Sequence, residues 1–393
     1  MKNLIILAGL TLIPLSGCVQ EKIDYQVLHR DALVADTHSD TPLRMLKGFD
    51  FAVRDTTGHM DIPRLQEGGV DLQVFACWLS TDTPIEECRS KTDKLIDSLT
   101  AQVERHPDKI AFCHTAAEAE EIIASGKIAA FIGIENGVAI ENSLDNLQHY
   151  YDRGVRYMTL THTASGDWCI SSADTLPAFE GLTDFGREVV KKMNELGMIV
   201  DISHSSVRAV EEILKVTIDP VIASHSCVHA ICPHDRNLTD DQIKAVAKNG
   251  GMIGINFYGG YISAEWNQLS DSFWTAHQVE VDSIKALYPN DYSLRQQAYK
   301  PLLAEMRVLR EKLNVDVGSV VDHIDYIVKL VGPDHVGFGS DFDGVYGLPQ
   351  GLTDCSMVPS ITEELVNRGY GKADIRKILG GNFMRVFRTV CDK

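Results

Sequence analysis

The chain has 393 residues, 44% of them hydrophobic and 23% charged, enough to bury a full globular core as two average domains or one large one. Lys and Arg number 37 against 55 Asp and Glu, a formal net charge of −18. That balance argues against nucleic acid and anionic membrane surfaces as partners, and suits an enzyme acting on small molecules.

The chain opens with a positive start, Met1-Lys2-Asn3, followed by the apolar run LIILAGLTLIPL. This run is too short to span a bilayer comfortably, so residues 1–17 are predicted to be a secretory signal. Its ending, Leu15-Ser16-Gly17-Cys18, resembles the lipobox of bacterial lipoproteins. That resemblance implies acylation of Cys18, which becomes the first residue of an exported, lipid-anchored chain on the periplasmic or cell-surface side of a bacterial membrane. Eight further cysteines are scattered without a CxxC pair, so no thiolate zinc site or redox motif is indicated, although export permits disulfides.

Residues 18–32 are predicted to be a tether and a polar helix. From residue 33 the chain alternates. Apolar strands are expected at 33–38, 70–79, 128–137, 155–162, 198–204, 220–226, 252–259 and 335–344. Helices are expected at 59–69, 84–106, 118–126, 143–154, 182–197, 206–215, 239–251 and 319–331, with closing helices in 357–393. Residues 262–318 form a helical insertion. Eight strands in strict alternation with helices predict a parallel sheet closed into a (β/α)8 TIM barrel over residues 33–393. An open doubly wound sheet is the alternative, but a dinucleotide-binding version would need a Gly-rich phosphate turn after its first strand, and none is present.

In such a barrel the C-terminal strand ends share one face, where active sites are built. LVADTHSD (33–40) ends in His38 and Asp40, which project to the same side of a strand and can grip a divalent metal. Glu135 follows the apolar run FIGI, where a carboxylate is costly unless paired or metal-bound, and its two oxygens can bridge two metals. His204 and His225 end neighbouring strands and can supply imidazoles to one ion, with Asp201 and Ser203 placed to orient His204. His162 can ligate a metal or polarise a substrate carbonyl. Asp341 can move a proton to a leaving amine. Asp343 reads as structural; Arg236 presents a fork suited to a carboxylate, but as a lone loop arginine it reads as a solvated charge until the motif around it is considered.

Together these motifs, ADTHSD, GIENG, YMTLTHT, DISHSS, PVIASHS followed by HDRN, NFYGGYIS and VGFGSDFDG, resemble the membrane (renal-type) dipeptidase family of zinc peptidases from about residue 30 to 390. The resemblance implies a metal-dependent amidohydrolase-like barrel with two zinc ions per subunit. One ion is held by His38, Asp40 and the bridging Glu135, the other by Glu135, His204 and His225. It assigns His162 to the substrate carbonyl, Arg236 to the substrate's free carboxylate and Asp341 to proton transfer. The implied reaction is hydrolysis of free dipeptides, including those with a C-terminal D-residue, by a metal-bound hydroxide, and a homodimer is an option for the assembly. The sequence departs from the family after His162, where it reads TASGDWC, and at YISAEWN, which lacks the cysteine that mammalian relatives could pair at the Cys232 position. Lactone, phosphotriester or deaminase chemistry fits less well, because those barrels commonly open with His-x-His. A catalytically idle peptide-binding barrel is the other alternative, and the complete ligand set argues against it.

Overall fold

Short apolar runs rich in Ile, Val, Phe and Ala cannot satisfy their backbone polar groups alone, and parallel pairing buries both faces of each. In the computed structural model, which describes residues 23–289 and 292–393, nine such runs form one parallel sheet. The strands are β1 (Ala35–Asp36), β2 (Leu72–Trp78), β3 (Ile110–Phe112), β4 (Ile128–Glu135), β5 (Val155–Thr159), β6 (Ile199–Asp201), β7 (Ile222–Ala223), β8 (Met252–Ile255) and β9 (Val336–Phe338). The ladder runs β2-β1-β9-β8-β7-β6-β5-β4, and β2 pairs again with β4 from Leu72↔Ala129 to Trp78↔Glu135. That second pairing closes the predicted eight-stranded (β/α)8 barrel.

β3 is an addition that the sequence reading did not contain. It pairs with Ile128–Ala130 of β4, and the β4–β5 pairing begins only at Ile132. Every barrel strand is also shorter than its apolar run, because the ladder ends where the loops bend away. The signal stretch 1–17 and Cys18 lie outside the described residues. Among the described residues no helix is long and apolar enough to cross a membrane.

Two apolar layers hold the barrel. One lies between the strands and the surrounding helices. The other fills the interior with Leu72, Val74, Phe131, Tyr157, Ile199 and Ile222, and takes in Phe383, Val386 and Phe387 from the last helix, Asn382–Cys391. Phe131 meets Phe387 and Phe383 edge to face, with centroids 5.0 and 5.6 Å apart. This aromatic plug seals the end of the barrel where the strands begin. The opposite end is left to polar side chains. The insertion after β8 contributes helices Ala264–Ala276, Gln278–Leu287 and Tyr292–Arg310. It packs on the loop after β9 and approaches the loop after β2 through Arg295 and Asp82, 3.7 Å apart.

All eight described cysteines are buried and unpaired, so no disulfide joins any of them. Cys232 lies against the carbonyl of Gly260.

Candidate metal centre and active site

The polar side chains gather at the C-terminal mouth of the barrel, most of them just past the hydrogen-bonded strands. Glu135 is the last residue of β4, while His38 stands two residues beyond β1 and His204 three beyond β6. The loops after β1 and β9 are zipped together: Asp40 N–H donates to the Phe342 carbonyl (2.9 Å) and Asp341 N–H to the His38 carbonyl (3.1 Å). Several of these bends use left-handed backbone, at Asn136 (φ 91°), His204 (φ 66°) and Asp341 (φ 61°). Such conformations are costly for residues with a side chain and persist where surrounding structure imposes them, commonly at functional sites.

Glu135 is the hub. Its Oε1 lies 2.9 Å from His204 Nε2, 3.3 Å from His225 Nε2 and 3.8 Å from His162 Nε2, and its Oε2 lies 3.5 Å from His38 Nε2. His204 Nε2 and His225 Nε2 are 3.0 Å apart. Three overlapping sets have ligand atoms within 4.8 Å of one another: His38, Glu135 and His225; Glu135, His162 and His204; and His38, Asp40 and Asp341. All five predicted ligands therefore meet, joined by His162 and Asp341. The sequence motifs assign Asp341 to proton transfer alone, whereas here its carboxylate shares a set with His38 and Asp40.

Outer contacts fix these groups. His38 Nδ1 faces Tyr157 Oη at 2.8 Å. Asp201 and Ser203 were expected to orient His204, but they serve His225 instead. Asp201 accepts from Ser224 Oγ (2.6 Å), Ser224 Oγ contacts His225 Nδ1 (2.8 Å), and His225 N–H donates to Ser203 Oγ (3.1 Å). Asn256 Nδ2 donates to Asp341 Oδ2 (2.9 Å), and Trp78 Nε1 donates to His162 Nε2 (3.1 Å). Asp343 is structural as expected, accepting from Thr41 Oγ1 (2.8 Å) and Arg44 (3.1 Å). Tyr157, Trp78, Ser224 and Asn256 were not singled out from the sequence. Their only signal was position, at or near strand ends on the same face.

Arg236 is 4% exposed; it donates to the His225 carbonyl (3.0 Å) and to Ser226 Oγ (3.3 Å), and its Nε has no partner. Among the described residues no carboxylate pairs with it. Its charge is therefore available to an anionic ligand.

Burial lowers the proton affinity of His38, but the Glu135, Asp40 and Asp341 carboxylates around it prevail and raise its pKa to about 10. Burial, with the charge of Glu135, pushes Asp40 well above the ordinary carboxylate range, and Asp341 to about 6. Burial opposes ionisation of Glu135, yet the facing histidines hold its pKa well below the usual value. Burial also depresses His204 strongly and His225 to about 3, so both favour the neutral form that ligates metal. His38 Nε2, Asp40 Oδ1 and His204 Nδ1 are buried with no hydrogen-bond partner, although buried polar atoms normally find one. Crowded carboxylates, neutral imidazoles and orphaned donor atoms together fit a divalent cation.

A (β/α)8 barrel with imidazoles and carboxylates converging at the C-terminal mouth is the architecture of a metal-dependent hydrolase. The chain belongs to the membrane dipeptidase family, peptidase family M19, whose sequence model matches residues 23–392. It is similar to the probable dipeptidase PvdM from Pseudomonas aeruginosa, at 27% identity and TM-score 0.78 over 94% of this chain and 98% of that one. A metallopeptidase from Rhodobacter sphaeroides, liganded with a phosphinate mimic of the dipeptide L-Ala-D-Ala, shares the fold at 24% identity and TM-score 0.75, covering 91% of this chain and 99% of that one. An amidohydrolase from Pseudomonas aeruginosa does so at 19% identity and TM-score 0.72, covering 94% of this chain and 100% of that one.

Proposed function

We propose that this chain hydrolyses the peptide bond of free dipeptides at a two-zinc centre held by His38, Asp40, Glu135, His204 and His225. The observation that carries the reading is the convergence of four imidazoles on the two oxygens of one buried carboxylate, Glu135. Bound zinc supplies Lewis acidity and makes hydroxide available near neutral pH, moving the pKa of water from 15.7 towards roughly 7.

The remaining roles belong to this chain's own residues. Arg236 grips the substrate's C-terminal carboxylate with a two-pronged contact. Asn256 fixes one oxygen of Asp341, leaving the other to take a proton and deliver it to the leaving amine. In the present arrangement Trp78 donates to His162 Nε2, which places the His162 proton on Nδ1, beside Thr163 Oγ1 at 3.1 Å. Donation from His162 to the substrate carbonyl needs that proton on Nε2, so the Trp78 contact opens when substrate enters. Dipeptides with a C-terminal D-residue belong to the proposed substrate class, supported by the dipeptide mimic bound by the Rhodobacter sphaeroides relative. The Leu15-Ser16-Gly17-Cys18 sequence supports export and lipid anchoring through Cys18.

Turnover of L-Ala-L-Ala and L-Ala-D-Ala, with and without a chelator and with zinc restored, tests the function. Cleavage that is lost with chelation and regained with zinc is expected. Undiminished cleavage in metal-stripped protein would overturn it.

A further inference from the structure

The described residues include three buried arginines, and two of them lack an acidic partner. Arg64 meets Asp61 at 2.8 Å. Arg236 is the proposed grip for substrate. Arg310, at the end of the last insertion helix, repeats its situation far along the chain. It is 7% exposed, and no carboxylate pairs with it among the described residues. Its guanidinium donates only to neutral oxygens: the Tyr346 carbonyl (3.2 Å), Ser270 Oγ (3.1 Å) and Tyr258 Oη (3.4 Å). Burying a cation without a counter-charge is expensive, and burial lowers the Arg310 pKa accordingly.

A second idle donor lies beside it. The guanidinium carbon of Arg310 stands 4.9 Å from the Trp266 ring, and Trp266 Nε1 is buried with no partner, as is Arg310 Nε. Both residues line a cavity of about 610 Å³ between the insertion and the loop after β9. Its other walls include Leu303, Leu313, Val315 and Leu348; Ala304 stands at its rim, as do Arg307 and Glu311, which face each other at 3.7 Å and are largely exposed. A volume in this range suits a small ligand, and an apolar wall with a few convergent polar groups is how such sites are built. None of the metal-cluster residues lines it, and Gly347, which lies against Trp266 and Arg310, is six residues beyond Asp341 of that cluster.

We infer that this cavity is a second ligand site, which takes a small organic acid, its carboxylate on Arg310 and its apolar body against Leu303, Leu313 and Leu348. The ligand's carboxylate supplies the counter-charge that Arg310 lacks, and the leucines bury its apolar body. Inorganic phosphate satisfies only the first.

The test uses the full chain as purified carrying Arg236→Met, which removes the arginine grip at the proposed active site; a carboxylate held by metal there would not respond to changes at Arg310 or Ala304. Isothermal titration with 3-phenylpropionate is compared with 3-phenylpropanol and with inorganic phosphate. One 3-phenylpropionate per chain is expected to bind, with the alcohol and phosphate each at least about tenfold weaker. Arg310→Gln, and independently Ala304→Trp, which fills the cavity from its exposed rim, should each weaken 3-phenylpropionate at least about tenfold. No binding to the parent protein overturns the proposal, as does unchanged binding in both variants. Phosphate or the alcohol binding as tightly as the acid overturns the assignment of an organic carboxylate. Because dipeptide turnover is not the readout, failure here leaves the proposed catalytic function intact, and failure of that function leaves this test unaffected.

Discussion

Gly344→Ala separates the geometry of the active site from the stability of the fold. Gly344 sits in the loop after β9, is exposed, and has no left-handed backbone to forbid a side chain. A methyl group placed there would lie 2.1 Å from Asp40 Oδ2 and 2.4 Å from Asp341 Oδ1. To reach the 3.0 Å below which such contacts are not found, the two oxygens must retreat by about 0.9 and about 0.6 Å. Both can yield, because each is the end of a side chain, but Asp341 can move only by loosening its bond from Asn256. Displacements near 1 Å at a reacting centre cost about a hundredfold in rate. No core contact is lost, and an alanine for glycine change restricts the unfolded chain, so stability should stay within about 1 kcal/mol of the parent. The assay is kcat/KM on L-Ala-L-Ala alongside the melting temperature and zinc content. A fall of about a hundredfold in kcat/KM at unchanged melting temperature is expected. A variant within about threefold of the parent would refute the claim that these two carboxylates must hold their positions.

Other consequences can be checked in the same preparations. Purified protein should carry close to two zinc ions, as a bridging carboxylate requires, and Glu135→Ala should lose most of both; full occupancy by metal analysis would sink the bridging role. Asp341→Asn should lower kcat by at least about a hundredfold, and wild-type turnover there would remove Asp341 from proton transfer. Arg236→Lys keeps charge but loses the fork, so KM should rise while kcat changes little; dipeptide amides should be poor substrates and nearly indifferent to the change. His323, which accepts from Val228 N–H (3.0 Å) and faces the Ile262 carbonyl (2.9 Å), has its pKa lowered by burial to about 4. The unfolded chain binds this proton from about pH 6.5 downward, so its contribution is full above that pH and is lost as pH falls towards 4. Denaturant titrations across this window should show a loss on the order of 3 kcal/mol that is flattened in His323→Gln, and parallel slopes in both proteins would contradict it.

Much of the barrel could be read from the chain because a buried parallel strand is a continuous apolar run, and eight such runs alternate with amphipathic stretches. The short strand Ile110–Phe112 was missed because three residues carry no period. Strand ends were overextended for a related reason: hydrophobicity continues into loops that the barrel still buries. Glu135, His38 and Asp40 stood out because a polar residue closing an apolar run is conspicuous in one dimension. Their supports were not. Asp201 serves the histidine of the next strand rather than its own neighbour, since cross-strand adjacency is decided by the sheet. Arg310 carries no signal of its own within the 262–318 insertion, and only the packing of Trp266 and residues 346–347 over it makes it a buried cation.

The eight sequestered thiols give the fold a set of built-in clocks. Burial raises the pKa of each, so reactive thiolate is scarce in the native protein near neutral pH. An alkylating reagent must wait for the backbone around a thiol to open, and its rate at each cysteine then measures that local opening. Cys113 and Cys391 time the sealed end of the barrel. Cys227, just past β7, and Cys232, whose thiol faces the Gly260 carbonyl, time the loops beside the metal centre. Comparing the two sets, with and without zinc, would show which end of the barrel the metal holds shut.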